Sequence, residues 1–394
     1  MNEPYDFSSV IERRNTGSLK WDKYAGRRDR HSREVLPLWV ADMDFAAAPE
    51  IIDALHGRVG HGVFGYTVPY AEVERAVLAY LGERHGYSAQ RDWLFFIHGC
   101  VPALNVFAAA FGGDDKEILT CTPVYPPFLT APGWQGGKLV TSHLTLQGDR
   151  WTFDWDDLAA KVSEKTTGFI LCNPHNPVGR VFSREELRML GDFCERHNLI
   201  LCSDEIHCDL VFDPHQHIMT ATLDEALAQR TVTLHAPSKT YNLPGLSAAF
   251  AVIPNSRLRA QFKQAARGFV TEVNTLGYTG MTAAYTRGEP WRQALLERLA
   301  ANRDLLYGFV PEHLGRWMSL QQPLEATYLT WLNVEPMLNA GIEHPAEWLI
   351  ENAGVGLSPG GDFGDRRFLR LNIGCPETTL REALERIRAA LADL

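Results

Sequence analysis

Several residues with the chemistry of a reactive site stand just past short apolar runs. Lys239, in Ala236-Pro237-Ser238-Lys239-Thr240-Tyr241-Asn242, follows Val232-Thr233-Leu234. Most lysines are solvated, but one held in a closed, partly desolvated place loses basicity and becomes an amine nucleophile and proton carrier. Asp204, in Cys202-Ser203-Asp204-Glu205-Ile206-His207, also follows an apolar run. It is either a cap or surface acid, or a buried carboxylate that requires a cationic partner. Asn176 lies in the turn Asn173-Pro174-His175-Asn176-Pro177-Val178-Gly179, which turn propensity alone explains, or in which the amide donates to a ligand oxygen. Tyr125, in Thr122-Pro123-Val124-Tyr125-Pro126-Pro127, is a packed turn aromatic or a surface on which a flat ring stacks.

Two further segments recognise anions. In His98-Gly99-Cys100-Val101-Pro102 a glycine turn leads into a helix with proline near its start, and the free N–H groups there suit a phosphate. Arg370 alternates with Leu369 and Leu371, so it is an exposed arginine on a wet strand face or a planar fork for a carboxylate. One cofactor uses most of this set. Pyridoxal 5'-phosphate (PLP) needs a lysine for a Schiff base, a carboxylate beside its pyridine nitrogen and a phosphate cradle.

The elements that must position these residues are legible. Trp93–Ile97, Glu117–Cys121, Gly168–Cys172, Leu199–Cys202, Val232–Leu234 and Ala249–Ile253 read as buried strands, and continuous apolar runs of this kind suit a largely parallel sheet covered on both faces. Ser183 and Glu186 form a capping box before a helix with Leu187, Leu190 and Phe193 on one stripe, and residues 70–85 carry a second helical pattern. In open parallel sheets ligands gather outside the carboxyl ends of the strands. Gly99, Tyr125, Asn176, Asp204 with His207, and Lys239 follow successive strands there. A helical stretch from 256 to 310, then the strand-like Phe368–Ile373 and a helix capped by Thr379 and Glu382, predict a second, smaller α+β domain. The expected division is 1–48 as an N-terminal arm that joins the small domain, 49–275 as the large cofactor-binding domain and 276–394 as the small C-terminal domain.

Composition narrows the function. A net charge of -10 argues against nucleic-acid binding, and the short basic stretch Arg27, Arg28, Arg30, Arg33 reads as solvated surface. No apolar run approaches a membrane span, and the N-terminus lacks the pattern of a secretory signal. The seven cysteines include no CxxC pair, so a reducing, cytoplasmic setting is expected. Gly360-Gly361-Asp362-Phe363-Gly364 is no P-loop, GxSxG is missing, and His175, His197, His207, Cys202 and Cys208 lack zinc-ligand spacing, so no metal is expected.

Taken together, these segments resemble the fold-type-I PLP enzymes, the aspartate aminotransferase superfamily. Arg14-Asn15-Thr16 with Lys20-Trp21-Asp22, Leu36-Pro37-Leu38-Trp39-Val40-Ala41-Asp42-Met43-Asp44-Phe45, Phe64-Gly65-Tyr66 and Ser203–His207 are similar to the MalY/PatB-type carbon–sulfur lyases, the cystathionine β-lyase group. The resemblance spans nearly the whole chain. It implies an α/β large domain whose mostly parallel seven-stranded sheet is sandwiched by helices. It further implies that Lys239 is the Schiff-base lysine, Asp204 the pyridine-nitrogen partner, Asn176 the ring-oxygen donor, Tyr125 the stacking aromatic and Arg370 the substrate α-carboxylate clamp. Cys100, Val101 and Ser238 hold the phosphate, joined by Tyr66 from the other subunit of a homodimer. His207 takes the place of a tyrosine found in many aminotransferases. Ser247 stands where many aminotransferases have a phosphate-binding arginine, a feature shared by the lyase group. The segment Ile373-Gly374-Cys375-Pro376 departs from the usual Phe-Ala-Cys-Pro-Arg.

The implied reaction is α,β-elimination on an L-amino acid with sulfur at Cβ, such as cystathionine, with Lys239 as base and Lys239 or Tyr125 as acid to the leaving thiolate. The runner-up is an aminotransferase. A lesser alternative is an added regulatory role by protein contact, since some relatives restrain a transcription activator.

Overall fold

The structure is a computed structural model and describes residues 5–394. Its larger sheet has seven strands: β1 (Leu94–Ile97), β2 (Glu117–Thr122), β3 (Lys138–His143), β4 (Thr166–Cys172), β5 (Ile200–Asp204), β6 (Thr231–His235) and β7 (Ala249–Val252), in the order β1-β7-β6-β5-β4-β2-β3. Only β7 runs against its neighbours. All six strands read from the sequence are present. The seventh, β3, is an edge strand whose Leu139 and Val140 stay half-exposed, so it lacks the continuous apolar run that marks the others.

Alternation along the strands explains why the sheet needs cover on both sides. Ile170 and Cys202 pack with the helix Cys100–Phe111. Phe169, Leu171 and Leu201 point the other way, onto Leu187, Leu190 and Phe193 of the helix Arg184–Arg196. That helix starts on the expected capping box of Ser183 and Glu186.

A second sheet has the antiparallel order β8-β9-β11-β10, with β8 (Ser319–Leu320), β9 (Leu329–Asn333), β10 (Ser358–Pro359) and β11 (Phe368–Asn372). Leu380, Leu384, Ile387 and Leu391 of the last helix bury the expected stripe against Leu369, Leu371 and Ile373. The expected cap of this helix is corrected: the helix spans Glu377–Leu391, with Pro376 at the N-cap position, and Thr379 lies buried in the first turn. The Pro376 carbonyl accepts from the N–H groups of Thr379 and Leu380, so the helix begins two residues before Thr379 and leaves it no capping role. Glu382 pairs instead with Arg386 one turn on.

The N-terminal segment belongs physically with this second sheet. Leu36–Pro37 pairs in parallel with Val355–Gly356, and Phe7, Trp21, Leu38, Met43 and Phe45 enter the same core as the last helix. Its anchor is Asp44, whose buried carboxylate accepts from Lys20 Nζ (2.7 Å), Trp21 Nε1 (2.8 Å) and Arg13 Nη1 (2.7 Å). Removing that carboxylate strands the fully buried Lys20 ammonium. Asp44→Ala is therefore expected to lower unfolding free energy by about 3 to 5 kcal/mol in chemical denaturation, and a loss below about 1 kcal/mol would contradict the anchoring role.

Candidate active site

The carboxyl ends of β4, β5 and β6 lie side by side, with Cys172 opposite Asp204 and Asp204 opposite Leu234. The loops that leave them therefore converge. A cavity of about 170 Å³ opens there, and Cys100, Val101, Tyr125, Asn176, Asp204, His207, Ser238 and Lys239 all line it. Residues up to 139 positions apart in the chain thus meet because parallel strands deliver their ends to one edge.

Lys239 Nζ donates to the Ala41 carbonyl at 2.7 Å, and burial, with Arg370 adding to it, brings its amine down to about 8. Asp204 is the last residue of β5, and its carboxylate accepts from the Ile206 N–H at 3.2 Å. Burial pushes its carboxyl up to about 7. Burial, Lys239 and Arg370 together hold the His207 imidazole well below its ordinary range, so it stays neutral, and its Nδ1 has no partner. Where Gly99, Cys100 and Val101 line the cavity, the helix Cys100–Phe111 begins at Gly99 with no side-chain cap, leaving its first N–H groups without a side-chain acceptor. Ser247 lines the same end in a left-handed conformation (φ 49°).

Arg370 is buried in β11, not exposed on a wet face. Nη1 donates to Asn176 Oδ1 at 3.0 Å and Nη2 to the Trp39 carbonyl at 2.9 Å, while the guanidinium sits 4.6 Å from the centre of the Phe363 ring. Its Nε has no partner, and the acceptors of its other nitrogens, on Asn176, Trp39 and Ser358, are all neutral. Burial lowers it to about 10. A buried cation held only by neutral acceptors is prepared for an anionic ligand.

Tyr66 behaves differently. It is fully exposed on the segment between the helices Pro49–Gly60 and Ala71–His85, beside Thr271–Leu276, and lies outside the cavity of its own chain. Reading single residues also missed three contributors: the carbonyls of Trp39 and Ala41, and Tyr328, whose hydroxyl donates to the Ala41 carbonyl at 3.0 Å. Backbone acceptors carry no residue-type signal. The only sequence cue was that Leu36–Phe45 sits among the segments similar to the lyase group.

These groups fit PLP. Asp204 is a buried acid without a cationic partner in contact, the uncapped helix end awaits an anion, and Lys239 is a weakened amine between them. The sheet and cavity define a fold-type-I PLP enzyme. The chain belongs to the aminotransferase class I and II family, whose model matches residues 33–387. It is 36% identical over 394 residues to the cystathionine beta-lyase PatB of Bacillus subtilis (strain 168), covering 98% of this chain and 100% of that one. Among solved structures it is similar to OvoB (TM-score 0.93, 42% identity, 99% of this chain and 100% of that chain). It is also similar to the PLP-bound C–S lyase of Staphylococcus hominis (TM-score 0.90, 32% identity, 99% of each chain).

The Asp204 carboxyl gives a pH-dependent signature. Its folded value, about 7, lies above the ordinary 3.8, so the folded chain holds this proton longer than the unfolded one. Stability of the cofactor-free protein therefore falls as pH rises from about 4 to 7, and the deficit of a few kcal/mol is complete above that. Asp204→Asn is expected to raise the thermal midpoint of the cofactor-free protein at pH 8 while weakening PLP retention. A midpoint that drops at pH 8 as much as at pH 4 would refute the assignment.

Proposed function

We propose that this chain is a PLP-dependent carbon–sulfur β-lyase that converts cystathionine or a related cysteine S-conjugate, with water, to a thiol, pyruvate and ammonia. The observation that carries it is the buried Arg370 fork, unpaired with any acid and hydrogen-bonded to Asn176, which lines the same cavity as Lys239 and Asp204. When bound, PLP supplies a carbonyl for the substrate amine and a cationic ring that accepts the electrons left at Cα. Arg370 grips the α-carboxylate, and Asn176, which accepts from it, sets the angle of the fork. Lys239, weakened to about 8, takes the Cα proton as general base. Asp204 would hold positive charge at the ring nitrogen. Tyr125, which lines the cavity, would pack on the ring, and Lys239 or Tyr125 would return a proton to the departing thiolate. The relative PatB is named a cystathionine beta-lyase and the Staphylococcus hominis neighbour a C–S lyase, which favours elimination over amino transfer.

The phosphate end is completed by a second copy of the chain. Phe64, Tyr66 and Val68 with Phe269 leave aromatic and aliphatic surface open to solvent, a face that suits a homodimer in which Tyr66 reaches the partner's phosphate. Seven unpaired, buried cysteines suit a reducing cytoplasm, and no helix among the described residues is long and apolar enough to cross a membrane.

Supplied with cystathionine and no keto acid, the enzyme is expected to release pyruvate and thiol in equal amounts. Lys239→Ala should abolish both turnover and the visible absorbance of the bound cofactor. Turnover that requires an added keto acid would establish an aminotransferase instead. For the dimer, Tyr66→Phe should leave the sedimentation of the dimer unchanged and weaken PLP retention about tenfold, the scale of one charge-assisted hydrogen bond. Equal PLP affinity in the two proteins would remove Tyr66 from the site.

A further inference from the structure

Behind β5 and β6, on the far side of the loop that carries Asp204, lies a second buried cluster that the proposed reaction does not use. His85, the last residue of the helix Ala71–His85, is 123 positions from Cys208 in the chain, and its Nε2 stands 3.8 Å from Cys208 Sγ. The same nitrogen is 3.4 Å from Asp209 Oδ1. The three ligand atoms lie within 4.8 Å of one another, and Cys208 and Asp209 are buried. For a tetrahedral ion with bonds of 2.0 to 2.3 Å, neighbouring ligand atoms sit about 3.3 to 3.6 Å apart. The two spacings from His85, 3.8 and 3.4 Å, are close to that, and the third, within 4.8 Å, is met by side-chain movement of about 1 Å.

The surroundings are those of a supported site. Asp209 is oriented by Tyr80 Oη (2.8 Å) and Thr240 Oγ1 (3.3 Å) on one oxygen and by Arg84 Nε (2.9 Å) on the other. With Tyr80 donating to Asp209, the 2.9 Å contact between His85 Nε2 and the same hydroxyl is made by the Nε2–H, so the imidazole takes up an ion by carrying its proton on Nδ1 instead, and Tyr80 keeps its bond to Asp209. Arg84 offsets part of the charge, and a thiolate with a carboxylate balances a divalent cation. Two more imidazoles flank the cluster. His235 Nδ1 is 3.6 Å from Cys208 Sγ. His217 donates from Nε2 to Glu205 at 2.7 Å, and its Nδ1 is buried without a hydrogen-bond partner. His85, Cys208, Asp209 and His217 all line a polar cavity of about 670 Å³, which supplies an entry path and room for water.

We propose that His85, Cys208 and Asp209 bind a divalent transition metal of the zinc class, with the fourth position open to this cavity. Imidazole and thiolate select such an ion over magnesium or calcium. Binding displaces the Cys208 thiol proton to solvent and the ion takes its place on sulfur. Because Asp209 also holds Thr240, the neighbour of Lys239, and Cys208 follows His207, the ion braces the two loops that carry Asp204 and Lys239.

The test uses tag-free, PLP-loaded enzyme, freed of metal with a chelator and then titrated with zinc chloride by calorimetry and with cobalt chloride by absorbance. The expected result is one ion per chain and a thiolate-to-cobalt charge-transfer band in the near ultraviolet. Cys208→Ser should remove the band, and Cys208→Ser and His85→Gln should each weaken zinc binding at least tenfold in chains that retain the cofactor absorbance. His85→Gln provides the reading should Cys208→Ser fail to fold. Absence of saturable binding to the wild-type chain, or a charge-transfer band that survives in Cys208→Ser, overturns the proposal.

Discussion

A short run of main-chain carbonyls between the two sheets holds the candidate site together. Each carbonyl from Leu38 to Met43 accepts a hydrogen bond. Arg370 and Ser358 donate to Trp39, Asn372 to Val40 and Asp42, Lys239 and Tyr328 to Ala41, and Asn242 and Arg13 to Met43. The donors come from both halves of the fold. Asn242 follows Lys239 by three residues and Asn372 follows Arg370 by two, so the segment ties each functional cation to the same strip of backbone. A strip buried this way must have its carbonyls satisfied, which is why asparagine and arginine, with several donors each, recur around it.

The same constraint explains the electrostatics. Neutral acceptors hold Lys239 and Arg370 without neutralising their charge, so burial weakens both as bases: Lys239 comes to about 8 and Arg370 to about 10. Asp204, with no donor beyond one N–H, is pushed the other way to about 7. Had an acid been paired with each cation, the site would be more stable and less able to accept a ligand. Asp44 shows the contrast. It sits a few residues along the same segment, is fully paired with Lys20, Trp21 and Arg13, and serves to hold the strip in place.

The loop after β5 is held from behind with comparable care. Glu205 is fully buried and accepts from Ser203 Oγ, the Thr220 N–H and His217, and Asp209 accepts from Tyr80, Arg84 and Thr240. Asp204 and His207 face the cavity while Glu205 and Asp209 face away, so one short stretch serves two polar networks. Fixing the rear carboxylates fixes the direction of the front one.

The sequence by itself determined the strands, because six of the seven carry the apolar runs that a sheet covered on both faces demands, and it located Lys239, Asp204, Asn176, Tyr125 and the Gly99 turn at their ends. Local chemistry was legible wherever the signal is a residue type at a fixed offset, as in the Ser183 and Glu186 cap. It was not legible where the partner is backbone or distant in the chain. Whether Arg370 faced water or was buried against Asn176, which carbonyl receives Lys239, and that His85 meets Cys208 were decided by the tertiary structure alone. The reason is geometric: these contacts depend on how two sheets and a connecting strip are placed in space, and no spacing along the chain encodes that.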